Sequence, residues 1–98
     1  MRLEWSTSAV DEIEALPAAD RSRIVDEIKR HLPHEALVPS KKRKCLASLL
    51  PSFEADPPIW ELKVVPYRVF YDVNASEDVV HIRAIRIKRP EDRTEDIA

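Results

Sequence analysis

Apolar and charged residues alternate along the run Trp60-Glu61-Leu62-Lys63-Val64-Val65-Pro66-Tyr67-Arg68-Val69-Phe70-Tyr71-Asp72-Val73. A period of two marks half-buried strands, and its interruption at Val65-Pro66 predicts an antiparallel pair. Alternation returns from Val79 to Ile87 after the polar gap between Asn74 and Asp78, which predicts a three-strand meander. Successive side chains on a strand point to opposite faces. One face collects Trp60, Leu62, Val64, Tyr67, Val69, Tyr71, Val73, Val80, Ile82 and Ala84, an apolar surface that needs a cover. The other collects Glu61, Lys63, Arg68, Phe70, Asp72, His81, Arg83 and Ile85, and its cations suit either solvent or a polyanion.

The cover is predicted upstream. Arg2 to Trp5 alternates and reads as a short edge strand joining the meander. Ser6, Thr7 and Ser8 offer caps for a helix starting near Ala9, with Val10, Ile13 and Leu16 on one side at helical spacing. Pro17 restarts the chain, and Ile24, Ile28 and Leu32 repeat every four residues in a second helix that His31-Leu32-Pro33-His34 is expected to end. The expected fold is therefore α+β: a small antiparallel sheet, a short N-terminal strand plus the meander, with a two-helix hairpin packed on one face. Residues 1–98 have room for one domain with a modest core.

Between Pro33 and Pro58 there is no clear amphipathic repeat, so a long functional connection is expected there. It holds the most basic run of the chain, Lys41-Lys42-Arg43-Lys44, followed by Cys45-Leu46 and Leu49-Leu50, which should tuck back onto the core. The chain has no glycine, so its turns rely on proline, asparagine and aspartate. Val65-Pro66 cannot form a primed two-residue turn, and a bulge or wider loop is expected there. After Pro90 the acidic tail should be a frayed turn of helix or disordered.

Composition narrows the chemistry. Sixteen Lys and Arg against eighteen Asp and Glu leave a formal net charge of −2, so any nucleic-acid contact must come from local clustering. The single Cys45 cannot close an intramolecular disulfide, which suits a reducing compartment. No apolar run approaches the ~20 residues of a membrane span, and no signal-peptide core opens the chain, so a cytoplasmic location is expected. His31 and His34 lack a third ligand at suitable spacing, so no metal site is expected.

The series Trp60-Glu61-Leu62-Lys63-Val64, Tyr67-Arg68-Val69-Phe70-Tyr71-Asp72-Val73, Val79-Val80 and Ala84-Ile85-Arg86-Ile87-Lys88 resembles the RelE/ParE superfamily of bacterial toxins from type II toxin–antitoxin modules. The resemblance implies a toxin neutralised by a cognate antitoxin. Its RelE branch implies a ribosome-dependent mRNA endonuclease, with ribosome and mRNA as partners. In that chemistry a ribose 2′-hydroxyl attacks the adjacent phosphate, and neither metal nor cofactor is required. Its ParE branch implies instead an inhibitor of DNA gyrase, and a degenerate member would only bind its antitoxin.

Arg68 matches the strand arginine that contacts phosphate in active relatives. Lys63 matches a lysine on the preceding strand, and Arg89, beside Lys88, a second arginine after the last strand. Glu61 stands where some relatives have another lysine, and nothing aromatic follows Tyr71, so the tyrosine several relatives carry near the carboxyl terminus is missing. His81 is the remaining proton-transfer candidate on the charged face. Lys41, Lys42, Arg43, Lys44, Arg83, Arg86 and Lys88 are the candidate contacts to an RNA backbone. The basic run, Arg83 and Arg86 would equally suit an acidic antitoxin segment.

Overall fold

A computed structural model describes residues 1–98. The elements run β1 (Arg2–Trp5), α1 (Thr7–Glu14), α2 (Ala18–Glu35), β2 (Arg43–Leu46), β3 (Ile59–Val64), β4 (Tyr67–Asn74), β5 (Val79–Ile87) and α3 (Thr94–Ile97). The five strands form one sheet in the order β1-β5-β4-β3-β2. The α+β class, the meander and the helices on one face are as expected. The sheet is mixed rather than antiparallel, because β1 pairs with β5 in parallel.

Helix α1 starts at Thr7, two residues before the expected Ala9, because the Ser6 side chain caps it by accepting from the Ala9 N–H at 3.1 Å. It closes the outer edge of β5 beyond β1. Ser6 N–H donates to the Ile82 carbonyl at 2.9 Å, and the Glu12 carboxylate accepts from Ile85 N–H at 3.1 Å. An edge that could template another strand is thereby covered.

Helix α2 lays Ile24, Ile28 and Leu32 against Leu62, Val64, Val69, Tyr71 and Ile82 of the sheet. Each such side chain contributes about 1.5–3 kcal/mol on burial. The expectation that His31 to His34 ends this helix is wrong: it continues through Pro33 to Glu35. The next position of its stripe, Ala36, is also buried and its carbonyl accepts from Tyr71 Oη at 2.6 Å. Packing of that last turn overrides the N–H that proline cannot donate.

Strand β2 was not expected. Its periodicity is hidden because the inward position is a charge: Arg43 is buried, with Nε donating to the Val38 carbonyl at 2.9 Å, Nη2 near Glu35 at 3.3 Å and Nη1 against His31 Nδ1. The basic run is thus partly an edge strand, pairing Arg43 with Leu62 and Lys44 with Glu61.

The β3–β4 connection is tighter than expected. Val64 pairs directly with Tyr67, so only Val65 and Pro66 form the turn, and the bond between them is cis. On β5 the assignment of faces changes midway. Phe70 pairs with Ala84 and Tyr71 with Ile82, leaving Arg83 as a bulge residue. One extra residue reverses the alternation beyond it, so Ile85 joins the helix-side core and Ala84 the opposite face.

That opposite face is not fully open. Ile59, Phe70 and Ala84 are completely buried beneath Leu46, Leu49, Phe53, Ala55 and the tail residues Ile97 and Ala98. Phe53 stacks obliquely on Phe70 with ring centroids 5.7 Å apart. The tail forms one helical turn because this apolar patch retains it. No helix is long and apolar enough to cross a membrane.

Burial raises the pKa of Tyr71 well above its ordinary value, and charge from nearby Arg43 only partly opposes this. A phenol favoured in its neutral form stabilises the fold fully below the unfolded pKa, near 10, and loses that contribution as pH rises toward the folded value. Stability measured by denaturant unfolding should therefore fall above about pH 10. Tyr71→Phe should cost about 1–3 kcal/mol at neutral pH, by orphaning the Ala36 carbonyl, and should weaken the alkaline loss. An unchanged pH dependence would exclude Tyr71 as its source.

Candidate functional site

Lys63 on β3 and Arg68 on β4 are direct partners across the hairpin, beside the Val65-Pro66 turn. Side chains paired in this way share a face, so the register brings both cations to one place. Lys44 enters the same surface from β2, opposite Glu61, and Lys41 and Lys42 approach it on the segment leading into that strand. Lys88 follows β5, its N–H bound to the Pro66 carbonyl at 2.7 Å, which holds it at the turn. Asp92, Arg93 and Thr94 of the tail form the remaining wall. These residues line a cleft of about 430 Å³.

Seven of the lining residues are cationic, Lys41, Lys42, Lys44, Lys63, Arg68, Lys88 and Arg93, against two acids, Glu61 and Asp92. Such crowding in a chain of net charge −2 concentrates positive potential in one concavity. Lys41, Lys44, Lys63 and Lys88 take part in none of the ion pairs of the protein. Lys42 lies 3.7 Å from Glu27, and Arg68 Nε lies 2.6 Å from Glu61 Oε1 while Nη1 donates to the Tyr67 carbonyl at 3.1 Å. A second cavity of about 450 Å³ shares Lys41, Lys42 and Lys63 and adds Arg23, Glu27, Val64 and Val65. The cationic track therefore bends around the end of β3 toward α2.

The turn bearing this track is braced from beneath. Arg23 Nη1 donates to the Val65 carbonyl at 2.9 Å, and Tyr67 Oη donates to Asp20 at 2.7 Å. The hydrogen bond to Asp20, helped by burial, raises the Tyr67 pKa and keeps the phenol as donor.

The other candidates are placed elsewhere. Arg43 is buried beneath β2 and cannot meet an external backbone. Arg83 lies against Asp72, with Nε 2.7 Å from Oδ2, and reaches Asp56 at 3.4 Å. Burial alone would lower its pKa, but the hydrogen bond and charge of Asp72, with Asp56 and Glu54, raise it, so this cation is committed inside the protein. Arg86 is opposite Arg68 in register but turns to Glu12 at 3.0 Å and lies over the Phe53 ring. His81 pairs with Asp72, four residues along β4 from Arg68, roughly 13 Å at the rise of a strand, and sits 3.6 Å from Glu4. Arg89 is exposed, its N–H bound to Asp92 at 3.1 Å, and does not line the cleft.

Of the expected site, the structure thus gathers Lys63, Arg68, Lys88, Lys41, Lys42 and Lys44, and leaves out Arg43, Arg83, Arg86, Arg89 and His81. It adds Arg93, for which the sequence carries no signal, because a tail returning over the sheet leaves no periodicity. Glu61, which stands where some relatives have another lysine, also lines the cleft, on the face that strand parity with Lys63 predicts. No group of three or more His, Cys, Asp or Glu side chains is arranged to hold a metal ion.

The fold resembles that of a chain in the crystal structure of the archaeal RelE–RelB complex from Pyrococcus horikoshii OT3. The TM-score is 0.69 at 22% identity, over 93% of this chain and 97% of that one. A comparison with curated proteins returns no match. The family described as "ParE toxin of type II toxin-antitoxin system, parDE" matches residues 3–90, nearly the whole chain, including both strands that bring Lys63 and Arg68 together. The chain belongs to this ParE toxin family of type II toxin–antitoxin systems.

Proposed function

We propose that this toxin binds a single-stranded RNA backbone in its cationic cleft and cleaves mRNA on the ribosome. The observation that carries the reading is the pairing of Lys63 with Arg68 in a concavity lined by seven cations. Attack of a 2′-hydroxyl on the adjacent phosphate builds negative charge on the phosphoryl oxygens, and preorganised cations stabilise it where it develops. Lys63 is exposed and unpaired, and Arg68 retains an Nη2 edge that neither Glu61 nor the Tyr67 carbonyl uses. Lys41, Lys44 and Lys88 supply phosphate contacts on either side, without base readout.

An antitoxin is the expected silencing partner. The archaeal counterpart was solved with RelB, and an acidic segment crossing the cleft of this chain would neutralise the same lysines. A gyrase-inhibiting reading has one specific observation in its favour besides the family match: the cleft lining contains neither histidine nor tyrosine.

Induced expression in bacteria should arrest growth and yield transcripts cut at ribosome-occupied codons. Inhibited supercoiling by purified gyrase, with messages intact, would establish the second reading instead. Lys63→Ala and Arg68→Ala should each lower cleavage by about 10²–10³-fold, the usual effect of removing one charge-stabilising donor. Full toxicity of both would exclude the cleft as the site. If Lys44 contacts one phosphate, Lys44→Ala should reduce the slope of log affinity against log salt by about 0.7 for single-stranded RNA. An unchanged slope would place Lys44 outside the bound strand.

A further inference from the structure

We propose that His31 is a positioning residue for the cleft: its neutral ring ties Arg43, and with it strand β2, to helix α2, and protonation of that ring loosens β2 together with the lysines it brings to the site. The inference concerns the wall of the cleft and rests on the nucleic-acid reading only for what the cleft holds.

Strand β2 is the outer strand of the sheet, paired with β3 alone, and its one buried residue is a cation, Arg43. Arg43 reaches α2 and the loop after it through Nε to the Val38 carbonyl, Nη2 to Glu35 and Nη1 to His31 Nδ1. A guanidinium only donates, so Nδ1 must accept. The proton of the neutral ring then lies on Nε2, which donates to Glu27 Oε2 at 3.0 Å. Both ring nitrogens are thus engaged, in a side chain only 15% exposed. Protonation preserves the bond to Glu27 but adds a hydrogen on Nδ1, facing Arg43. An acceptor becomes a donor, cation meets cation, and the contact is lost. The other groups around the ring do not replace it. Glu27 also meets Arg30 at 3.5 Å and Lys42 at 3.7 Å, Lys63 of β3 lines the same cavity as Glu27, and burial keeps Tyr71 of β4, close to Arg43, neutral. Arg43 retains the Val38 carbonyl and the exposed Glu35, whose attraction solvent screens. An edge strand opens locally at little cost, so the loss of one contact to its buried cation is enough to populate the open form. Lys44 lies within β2 and Lys41 and Lys42 just before it, so all three leave the cleft when it opens.

The test is an NMR series on the wild-type protein from about pH 8 to pH 5, the range in which histidine changes charge. It follows the ring resonances of His31, His34 and His81 together with the protection factor of the Lys63 amide, which donates to the Lys42 carbonyl at 2.8 Å and so reports the attachment of β2. Protection should fall by about tenfold or more, as for the loss of a hydrogen bond to a charged group, and its midpoint should coincide with that of His31. In His31→Gln, which does not titrate, protection should stay level across the series. Constant protection in the wild type, or a fall that tracks His34 or His81, would overturn the role of His31. If His31→Gln gives no cooperative unfolding transition, the midpoints in the wild type decide alone. Fluorescence anisotropy with labelled oligouridine at low salt then reads the cleft. Binding should weaken at least about twofold from pH 7.5 to pH 5.5, the factor when half of the molecules have β2 open, although added positive charge by itself would strengthen it. Unchanged or tighter binding while β2 loosens would overturn the positioning role. No binding at either pH, with β2 loosening as described, would overturn the nucleic-acid reading and leave the hold of His31 on β2 standing.

Discussion

Strand β4 is hydrogen-bonded on both edges and buried on both faces, and the remaining architecture follows from that constraint. Val69 and Tyr71 point into the helix-side core, while Phe70 and Asp72 are sealed beneath the loop before β3 and the C-terminal turn. A slip of one residue would drive Asp72 into the helices and Tyr71 out of them. The register is therefore strongly determined, and with it the juxtaposition of Lys63 and Arg68. The functional surface inherits its precision from a strand whose own side chains mostly serve packing.

Charge is organised by the same economy of position. Acidic residues hold the cations that lie outside the cleft: buried Asp72 retains Arg83, half-buried Glu12 retains Arg86, and exposed Glu35 with the Val38 carbonyl retains the buried Arg43. Of the five lysines without an ion pair, all but Lys29 on α2 gather at the turn end of the sheet, where β2, β3 and the residue after β5 converge. A near-neutral chain thus presents a concentrated positive cleft, and net charge conceals it. Screening over about 8–10 Å at ordinary ionic strength keeps this field local, so it acts on a strand already close by.

The open face has two halves with different purposes. Towards the turn it is the cationic cleft; towards the middle of the strands it is a small second core completed by Phe53, Ile97 and Ala98. The tail belongs to both, because Ile97 anchors it on the apolar patch while Asp92, Arg93 and Thr94 wall the cleft. Anchoring of this short segment therefore sets the width of the site.

Local pattern determined what depends on neighbours in the chain. Period-two alternation placed the meander, four-residue spacing placed α2, the run Ser6-Thr7-Ser8 signalled α1 without singling out its cap, and strand parity put Lys63 and Arg68 on one face. Where a partner distant in sequence decides the outcome, pattern was silent or misleading. Strand β2 pairs through a buried arginine whose neutralising groups lie on α2 and the loop after it. The Arg83 bulge reverses the parity of β5 because Asp72 and Asp56 hold that side chain. His81 shares a face with Arg68 in a linear reading, yet the sheet separates them along its length. Alternation records only which side of the pleat a residue occupies; register, bulges and returning termini set its position on that side, and these arise from contacts that form only in the folded chain.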